Sequence, residues 1–377
     1  MPARKAPTAP TRLMLKITTA FLSLLFLACG VQPAPRGLLG SYRLDDGRIL
    51  SVRPSEGASL RYREYQSGRS GRLYPTQGRT YQGGSGFHDR EPVAITAEFE
   101  LNGRGVAEKL IWMATGGDPI PGSRIGREQR VRFQSDGTWL GGRIHLPDGV
   151  GPFPGIVLVH GSGDDPGSEW LFNGDFLVAH GFAVLAYDKR GTGESGGDFT
   201  FDFQQLARDA AAGVALLRSR AEVDGRRVGL SGYSQGGWVA PLAASMAGAQ
   251  FVLVSYGMIE SPAEEARMEM LDLLERGGAT ADELAEADSL VSAAVNVVAA
   301  EFRSGWDRFE RLKRSHRNAV WLRHLKGTPI DQLMSYPRWF VRLIGPRYLP
   351  KDLDWYYDST DLLATLCIPC LLYTSDA

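Results

Sequence analysis

The sequence predicts an α/β protein: a doubly wound, mostly parallel sheet with a helical insert, preceded by a small all-β domain. Two hydrophobic patterns support this prediction. Over residues 38–127 apolar and polar residues alternate between tight-turn dipeptides, which is typical of antiparallel strands. Short continuous apolar runs then alternate with helical patterns, as in a parallel sheet covered on both faces. We therefore assign residues 38–127 to a β domain and residues 128–369 to an α/β domain.

The β domain is predicted mainly from its turns. In YRLDDGRILSV the dipeptide Asp46-Gly47 separates two alternating runs, a strong hairpin signal. In VAITAEFELNGRG the alternation ends at Asn102-Gly103. The glycine-rich stretch GRTYQGGSGF, residues 78–87, is expected to be a loop. The role of the domain stays open between spacer, pocket wall and oligomer contact.

The α/β domain is predicted from its alternation of strands and helices. After a hairpin turn at Asp136-Gly137, four buried strands are expected in GIVLVH, FAVLAYD, RVGLSGY and FVLVSYG. Helical periodicity marks DFQQLARDAAAGVALLRSR and GGWVAPLAASMAG. This βαβ rhythm indicates a doubly wound fold.

A helical insert is expected where the strand signal is absent, over residues 260–348. Such an insert can form a lid over a pocket. Its aromatic residues either line an apolar substrate site or pack the insert to the core, and the sequence leaves both alternatives open: Trp306, Trp321, Trp339 and Phe340. A helical turn and an apolar strand then follow in DLLATLCIPCLLY.

A G-x-S-x-G motif stands at Gly232–Gly236, between a predicted strand and a predicted helix. A serine hydroxyl is a weak nucleophile unless it has a base, an exposed position and donors for the developing oxyanion. A sharp strand-to-helix turn supplies the exposed position, and only small residues fit beside it. This context makes Ser234 a candidate nucleophile.

Two further stretches follow predicted strands. VLVHGSGDD carries His160, Gly161, Ser162 and Gly163, a turn that can aim a backbone N–H at a substrate oxygen. VLAYDKRGTGESGG carries Asp188 and Arg190. With the serine motif, these stretches resemble the α/β-hydrolase superfamily, in particular its extracellular esterase and serine-peptidase-like branch with a helical insert. The resemblance covers about residues 131–368.

The resemblance implies a set of site residues. Ser234 is then the nucleophile, and the backbone N–H groups of Gln235 and Ser162 form the oxyanion hole. His160 braces its turn, and the residues Asp188 and Arg190 hold a loop. The turns themselves depend on four glycines: Gly161, Gly163, Gly232 and Gly236.

The resemblance also implies a reaction class. We expect hydrolysis of carboxylic esters through an acyl-enzyme, with no metal and no cofactor. Two alternatives stay open: a serine peptidase acting on short peptides, and a non-catalytic binding protein on a hydrolase scaffold. The formal net charge of −1 gives no long-range attraction to nucleic acid. The expected partner is therefore a small-molecule ester or a short peptide.

The general base is not assigned. In this family the acid and then the histidine follow the serine along the chain. The histidines after Ser234 are His316 and His324, both in the helical insert, so neither is expected to be the base. Asp376 lies about where the acid belongs.

The last eight residues are themselves open to question. CLLYTS matches the translation of a sequencing-adapter end, so our hypothesis is that Cys370–Ala377 is read-through. The catalytic acid and histidine would then lie beyond residue 377, in a C-terminal part that is missing. We expect little turnover from the chain as written.

The N-terminus has the features of a bacterial lipoprotein signal. Arg4, Lys5, Arg12 and Lys16 precede an apolar run that ends in LFLAC. We interpret residues 1–29 as a signal peptide with lipid attachment at Cys29, followed by a tether over residues 30–37. The expected location is the cell envelope. An ordinary secretory signal and an uncleaved anchor are the alternatives.

Overall fold

The structure is a computed structural model, and it describes residues 34–164, 166–167, 172–255, 257, 259–350 and 352–373. The described residues fall into two compact units. One unit consists of Ala266–Leu349, and the other contains the remaining described residues, with both the β domain and the sheet.

The β domain is a closed antiparallel barrel of eight strands in sequential order. Strand β1 pairs with β2 on one side and closes the barrel with β8 on the other, where Tyr42 lies opposite Arg124. The Asp46-Gly47 and Asn102-Gly103 turns lie between paired strands, as predicted. The strands are β1 Gly40–Leu44, β2 Ile49–Pro54, β3 Leu60–Glu64, β4 Ser70–Pro75, β5 Thr80–Gly83, β6 Ile95–Leu101, β7 Ala107–Ala114 and β8 Ile120–Ile125.

The barrel interior is filled by side chains. Alternate residues of the strands point inward, and Tyr62 and Trp112 meet edge to face with their ring centroids 4.9 Å apart. The expectation of a loop over residues 78–87 is wrong at its start, because Thr80–Gly83 forms β5. Tyr81 is buried in the barrel core, and Gly83 passes too close to the carbonyl of Arg72 for a larger residue.

The α/β domain is built on a seven-stranded sheet in the order β9-β10-β12-β11-β13-β14-β15. Strand β10 is antiparallel to β9 and β12, and the pairs from β12 to β15 are parallel. The predicted doubly wound, mostly parallel sheet is thus confirmed. The strands are β9 Arg127–Ser135, β10 Thr138–Leu146, β11 Phe153–Val159, β12 Ala183–Tyr187, β13 Val223–Tyr233, β14 Val252–Ser255 and β15 Cys370–Tyr373.

Three helices follow strands of this sheet: α1 Phe172–Ala179, α2 Phe203–Arg218 and α3 Gly236–Ala247. Asp202 caps α2 by accepting hydrogen bonds from the N–H groups of Gln204 and Gln205. The apolar stripe of α2 packs with α3 and the central strands into the largest core of the domain. Strands β12 and β13 flank β11 on opposite sides, so the chain reverses its winding there. Ligands of such sheets bind at the carboxyl ends of the strands beside this point.

The barrel and the sheet share an apolar cluster and a buried ion pair. Ile49 and Ile125 of the barrel pack with Val178 of α1 and with residues of β11 and β12. Beside them, Arg53 of β2 makes a two-pronged ion pair with Asp175 of α1, and Nε lies 2.7 Å from Oδ2. Helix α1 is therefore held to the barrel by both apolar and charged contacts.

The helical unit is all-α, as predicted for the insert. Helix α4 begins at Pro262, just before this unit, and ends at Arg276; α5 has a capping box formed by Thr280 and Glu283. Phe309 is fully buried in the unit. The α-helices from α5 on are α5 Ala281–Ala299, α6 Trp306–Ser315, α7 Pro329–Ser335 and α8 Arg338–Ile344, and 3-10 helices cover Val320–Leu325 and Gly345–Tyr348.

The chain then re-enters the larger unit through α9, Thr360–Thr365, and β15. Strand β15 pairs parallel with β14, with Cys370 opposite Val252. The pairing does not test the origin of Cys370–Ala377, which stays a hypothesis. The predicted signal peptide, with Cys29, and Asp376 lie outside the described residues. No helix in the described ranges has the length and apolarity to cross a bilayer.

Candidate active site

Ser234 lies at a sharp turn between β13 and α3. Its φ of 52° places the backbone in the left-handed region, which a serine adopts only when its surroundings enforce it. Two hydrogen bonds do so: the Ser234 N–H donates to Ser255 O at 3.2 Å, and Ser234 O accepts from the N–H of Gly237 at 2.7 Å. The strained turn presents this serine at the carboxyl edge of the sheet.

The two glycines of the motif are required by close packing. A Cβ on Gly232 would collide with the carbonyl of Gly236, one turn ahead. A Cβ on Gly236 would come within 2.7 Å of the carbonyl oxygen of Val159, at the end of β11. The turn therefore closes only because neither position carries a side chain.

The turn after β11 lies beside the serine. A Cβ on Gly161 would stand 3.5 Å from Ser234 Cβ and 3.3 Å from the ring of Tyr233. Ser162 follows, and it is exposed. Among the described residues, nothing accepts a hydrogen bond from the backbone N–H of Ser162 or of Gln235. Both residues lie in the turns where the sequence predicts an oxyanion hole, and that role stays a prediction.

The imidazole of His160 is engaged in a hydrogen bond to the end of β12. Its Nε2 donates to Tyr187 O at 2.7 Å, and its ring meets the Tyr187 ring edge-on at 4.4 Å. Burial, and then the charge of Lys189, lower the pKa of His160 to about 4. The ring is neutral at pH 7, in agreement with the predicted bracing role.

Asp188 and Arg190 contact the loop that follows β12. The Asp188 carboxylate accepts the N–H of Glu194 at 2.9 Å. Arg190 donates to both oxygens of buried Asp209 of α2, at 2.7 and 2.6 Å. Both residues therefore make structural contacts, as their predicted role requires.

The residue between them, Lys189, was not among the site residues predicted from the sequence. It is 1% exposed, and its Nζ donates to Gly161 O at 2.6 Å, Gly163 O at 3.2 Å and Gln235 Oε1 at 3.0 Å. The available sequence signal was a cation immediately after a buried strand. Its partners could not be found this way, because they lie 26 to 46 positions away along the chain.

His316 and His324 lie in the helical unit, and both have local partners. His316 Nδ1 contacts Leu312 O at 2.9 Å, and His324 Nε2 accepts from Arg323 Nε at 3.0 Å. Within the helical unit, neither histidine has a contact that marks it as a general base. The general base and the acid stay unassigned among the described residues.

The aromatic residues of the insert divide into two groups. Trp306 and Trp321 are buried within the helical unit, and Trp306 Nε1 donates to Phe302 O at 2.8 Å. These two side chains therefore belong to the core of the helical unit itself. Trp339 is 68% exposed and meets half-buried Phe340 edge-on.

The arrangement fits acyl transfer. It combines a serine on a strained turn with two predicted N–H donors at the end of a sheet. Across the part of the chain that the structure describes, no three acidic, histidine or cysteine side chains are grouped as metal ligands would be.

The chain was compared with known families and proteins. Residues 156–376, more than half of the chain, match the model of a family described as the alpha/beta hydrolase family. Esterase EstD of Thermotoga maritima is 34% identical over 143 residues, which are 36% of this chain and 33% of the relative. Quorum-quenching protein AidA of Acinetobacter baumannii is 30% identical over 109 residues, 28% and 36% of the two chains. The chain thus spans about a third of the length of the curated relatives it matches.

Solved structures resemble the chain more distantly. The Pyrococcus furiosus esterase Pf2001 is 23% identical, with a TM-score of 0.32, over 37% of this chain and 56% of its own. The hypothetical protein PA2218 of Pseudomonas aeruginosa is 17% identical, with a TM-score of 0.36, over 67% and 87% of the two chains. These values are too low to inform on activity.

Proposed function

The chain belongs to the alpha/beta hydrolase family, and within it we propose a serine hydrolase that cleaves carboxylic esters through an acyl-enzyme on Ser234. The observation that carries the proposal is the left-handed backbone of Ser234, at φ 52°, between β13 and α3. Strained backbone of this kind clusters at active sites, and Ser234 is half-buried at the end of β13. The partial match to an esterase supports an ester as the substrate.

The proposed reaction has two halves. Ser234 Oγ attacks the acyl carbon and gives its proton to a base, while the carbonyl oxygen becomes an oxyanion held by the N–H groups of Gln235 and Ser162. The oxyanion collapses, the ester C–O bond breaks, and the alcohol leaves with the proton. Water then attacks the acyl-enzyme by the same route, which releases the carboxylic acid and restores the serine.

We propose that the base is a histidine that follows the sheet strands and the acid along the chain, in the order typical of the family. His316 and His324 are tested directly by replacing each with alanine. Retained activity in both variants supports this proposal, and loss of activity in one of them contradicts it.

Ester hydrolysis is tested with p-nitrophenyl esters and aminoacyl p-nitroanilides on the full chain, meaning here and below the complete gene product and not residues 1–377 alone, from which little turnover is expected. We expect ester turnover that falls at least 10⁴-fold in Ser234→Ala, on the order seen when a nucleophile is removed. The matched control is Ser245→Ala, at an exposed serine of α3, which should keep full activity. Faster cleavage of the anilides would favour a peptidase, and no Ser234-dependent turnover of either class would overturn the proposal.

We also propose that the helical unit acts as a lid and that the protein is exported and lipidated at Cys29. The lid proposal is supported by the position of Ala266–Leu349 in the chain, between β14 and β15. The anchor proposal is supported by the LFLAC sequence. Labelling of cells with a radioactive fatty acid tests it: Cys29→Ser should lose the label, and a label that persists contradicts it.

A further inference from the structure

We propose that Lys189 is a positioning residue that fixes both donors of the oxyanion hole, by tying the turn after β11 to the residue that follows the nucleophile. This inference rests on the proposed function. It assigns a role to a buried cation that does not itself touch the substrate. The three hydrogen bonds of its ammonium carry the inference.

The first bond orients one donor through the geometry of the peptide group. Gly161 O accepts from Lys189 Nζ at 2.6 Å. That oxygen and the N–H of Ser162 belong to the same planar trans peptide group, so they point in opposite directions. Holding the oxygen against Lys189 therefore turns the Ser162 N–H away from the lysine. This peptide group lies beside the serine, since a Cβ on Gly161 would stand 3.5 Å from Ser234 Cβ.

The second and third hydrogen bonds of the ammonium hold the far side of Ser162 and the side chain of Gln235. Gly163 O accepts at 3.2 Å, so the carbonyls on both sides of Ser162 are held by one cation. Gln235 Oε1 accepts at 3.0 Å, and the backbone N–H of Gln235 is the other proposed donor. A single ammonium thus links the two turns that carry the proposed donors, one after β11 and one after β13. Charge-assisted hydrogen bonds of this kind are about twice as strong as neutral ones.

The site accommodates a charged amine despite its burial. The ring of Phe199 lies 5.1 Å from Nζ and that of Phe201 lies 5.9 Å away, both within the range of cation–π attraction. The residue is 1% exposed, so water does not complete the ammonium's hydrogen bonds. The protein supplies all of its partners.

The same contacts exclude Lys189 as the general base. An ammonium has three N–H groups, and all three have acceptors. Burial lowers the pKa of Lys189 only to about 8, so the group is mostly protonated at pH 7 and has no lone pair to accept the serine proton. Its role is to donate hydrogen bonds and to hold position.

The test uses Lys189→Gln and Lys189→Met in the full chain. The matched control is Lys109→Gln, at an exposed lysine of β7. With a p-nitrophenyl ester, we expect kcat to fall on the order of 10²-fold in both Lys189 variants, as when one oxyanion donor is lost. KM should change little, because ground-state binding does not use the oxyanion hole. Lys189→Arg should recover only part of kcat, since a planar guanidinium cannot direct three N–H groups to the same acceptors.

The outcomes separate the two proposals. Activity that depends on Ser234 but is unchanged in folded Lys189→Gln overturns the role of Lys189 and leaves the serine hydrolase intact. Parent protein without Ser234-dependent activity overturns the proposed function. In that case crystal structures of the parent and Lys189→Gln decide the orientation: a turned Gly161–Ser162 peptide group in the variant supports the role of Lys189, and an unchanged one contradicts it. The crystal comparison also serves if Lys189→Met fails to fold.

Discussion

The backbone around Ser234 shows how single residues determine the site. Gly232 and Gly236 are both in direct contact with carbonyl groups, and a methyl group has no room at either position. Elsewhere in the same strand a glycine is less constrained: a Cβ on Gly225 would meet its nearest neighbour at an ordinary 3.5 Å. The motif is therefore a packing requirement as well as a chemical one.

This contrast gives a prediction for two alanine variants. Gly236→Ala should lower the free energy of unfolding by about 1–3 kcal/mol, as overpacking does, and should also reduce activity because the turn must open. Gly225→Ala should change both by much less. Urea unfolding and ester turnover of the two purified variants measure the difference. Equal behaviour of the two would show that the turn is not closely packed.

A second prediction at the residue scale concerns pH. Burial lowers the pKa of Lys189 from 10.5 to about 8, while the nearby carboxylate of Asp164 acts in the opposite direction. His160, also near this lysine, is neutral in this range. Between pH 8 and 10.5 the unfolded chain therefore binds more protons at this residue, so its contribution makes the free energy of unfolding rise with pH.

The free energy of unfolding is measured for the parent and for Lys189→Gln, because the difference between the two cancels the contributions of the other titrating groups. The free energy of unfolding of the parent minus that of Lys189→Gln should increase by up to about 2 kcal/mol from pH 7.5 to pH 10. A difference that stays constant or falls would contradict a lowered pKa of Lys189 in the folded protein.

The sequence predicted those site residues that belong to a continuous local pattern. Ser234 and its glycines could be identified because the motif is continuous and its flanking strand and helix have clear periodicity. Lys189 could not be identified, because its proposed role depends on hydrogen-bond acceptors that only the folded sheet brings together. The base could not be identified either, because the two histidines after Ser234 both lie in the helical insert, before the last strand.

At the scale of elements, the contact between β2 and α1 is the most consequential. Arg53 and Asp175 are 5% and 3% exposed, and Ser51 also donates to the Asp175 carboxylate. Removing one member of a buried ion pair leaves a charge without compensation. The barrel thereby holds the helix that follows the turn carrying Gly161 and Ser162.

Asp175→Asn should therefore lower the free energy of unfolding by about 3–5 kcal/mol. The control is Asp272→Asn, which breaks an exposed pair with Arg276 on α4 and should cost less than about 1 kcal/mol. Urea unfolding monitored by circular dichroism gives both values. A small effect of Asp175→Asn would show that the buried pair contributes little to the junction.

The elements also show where sequence patterns fail. The long apolar strands and the capped helices were predicted correctly because each carries its own periodicity. Strand β5 was missed because the glycines in and around it resemble a loop, whereas in the barrel Gly83 permits close approach to Arg72 of β4. Strand pairing is a long-range property, so closure of the barrel by β1 and β8 has no local signal.

At the scale of the molecule, the helical unit is a separate compact body with its own buried tryptophans. If it acts as a lid, its exposed apolar residues contact long acyl chains. Trp339→Ala should then raise KM several-fold for a long-chain p-nitrophenyl ester and leave KM for the acetate unchanged. Steady-state kinetics on both substrates give the comparison. Equal effects on both esters, or none, would contradict a lid function for this residue.

Covalent labelling tests most directly whether Ser234 is an activated nucleophile. The full chain is incubated with a fluorophosphonate probe, and the modified peptide is identified by mass spectrometry. We predict one adduct, on Ser234, that is absent in Ser234→Ala and present in Ser245→Ala. Absence of labelling, or labelling that persists in Ser234→Ala, would contradict the claim.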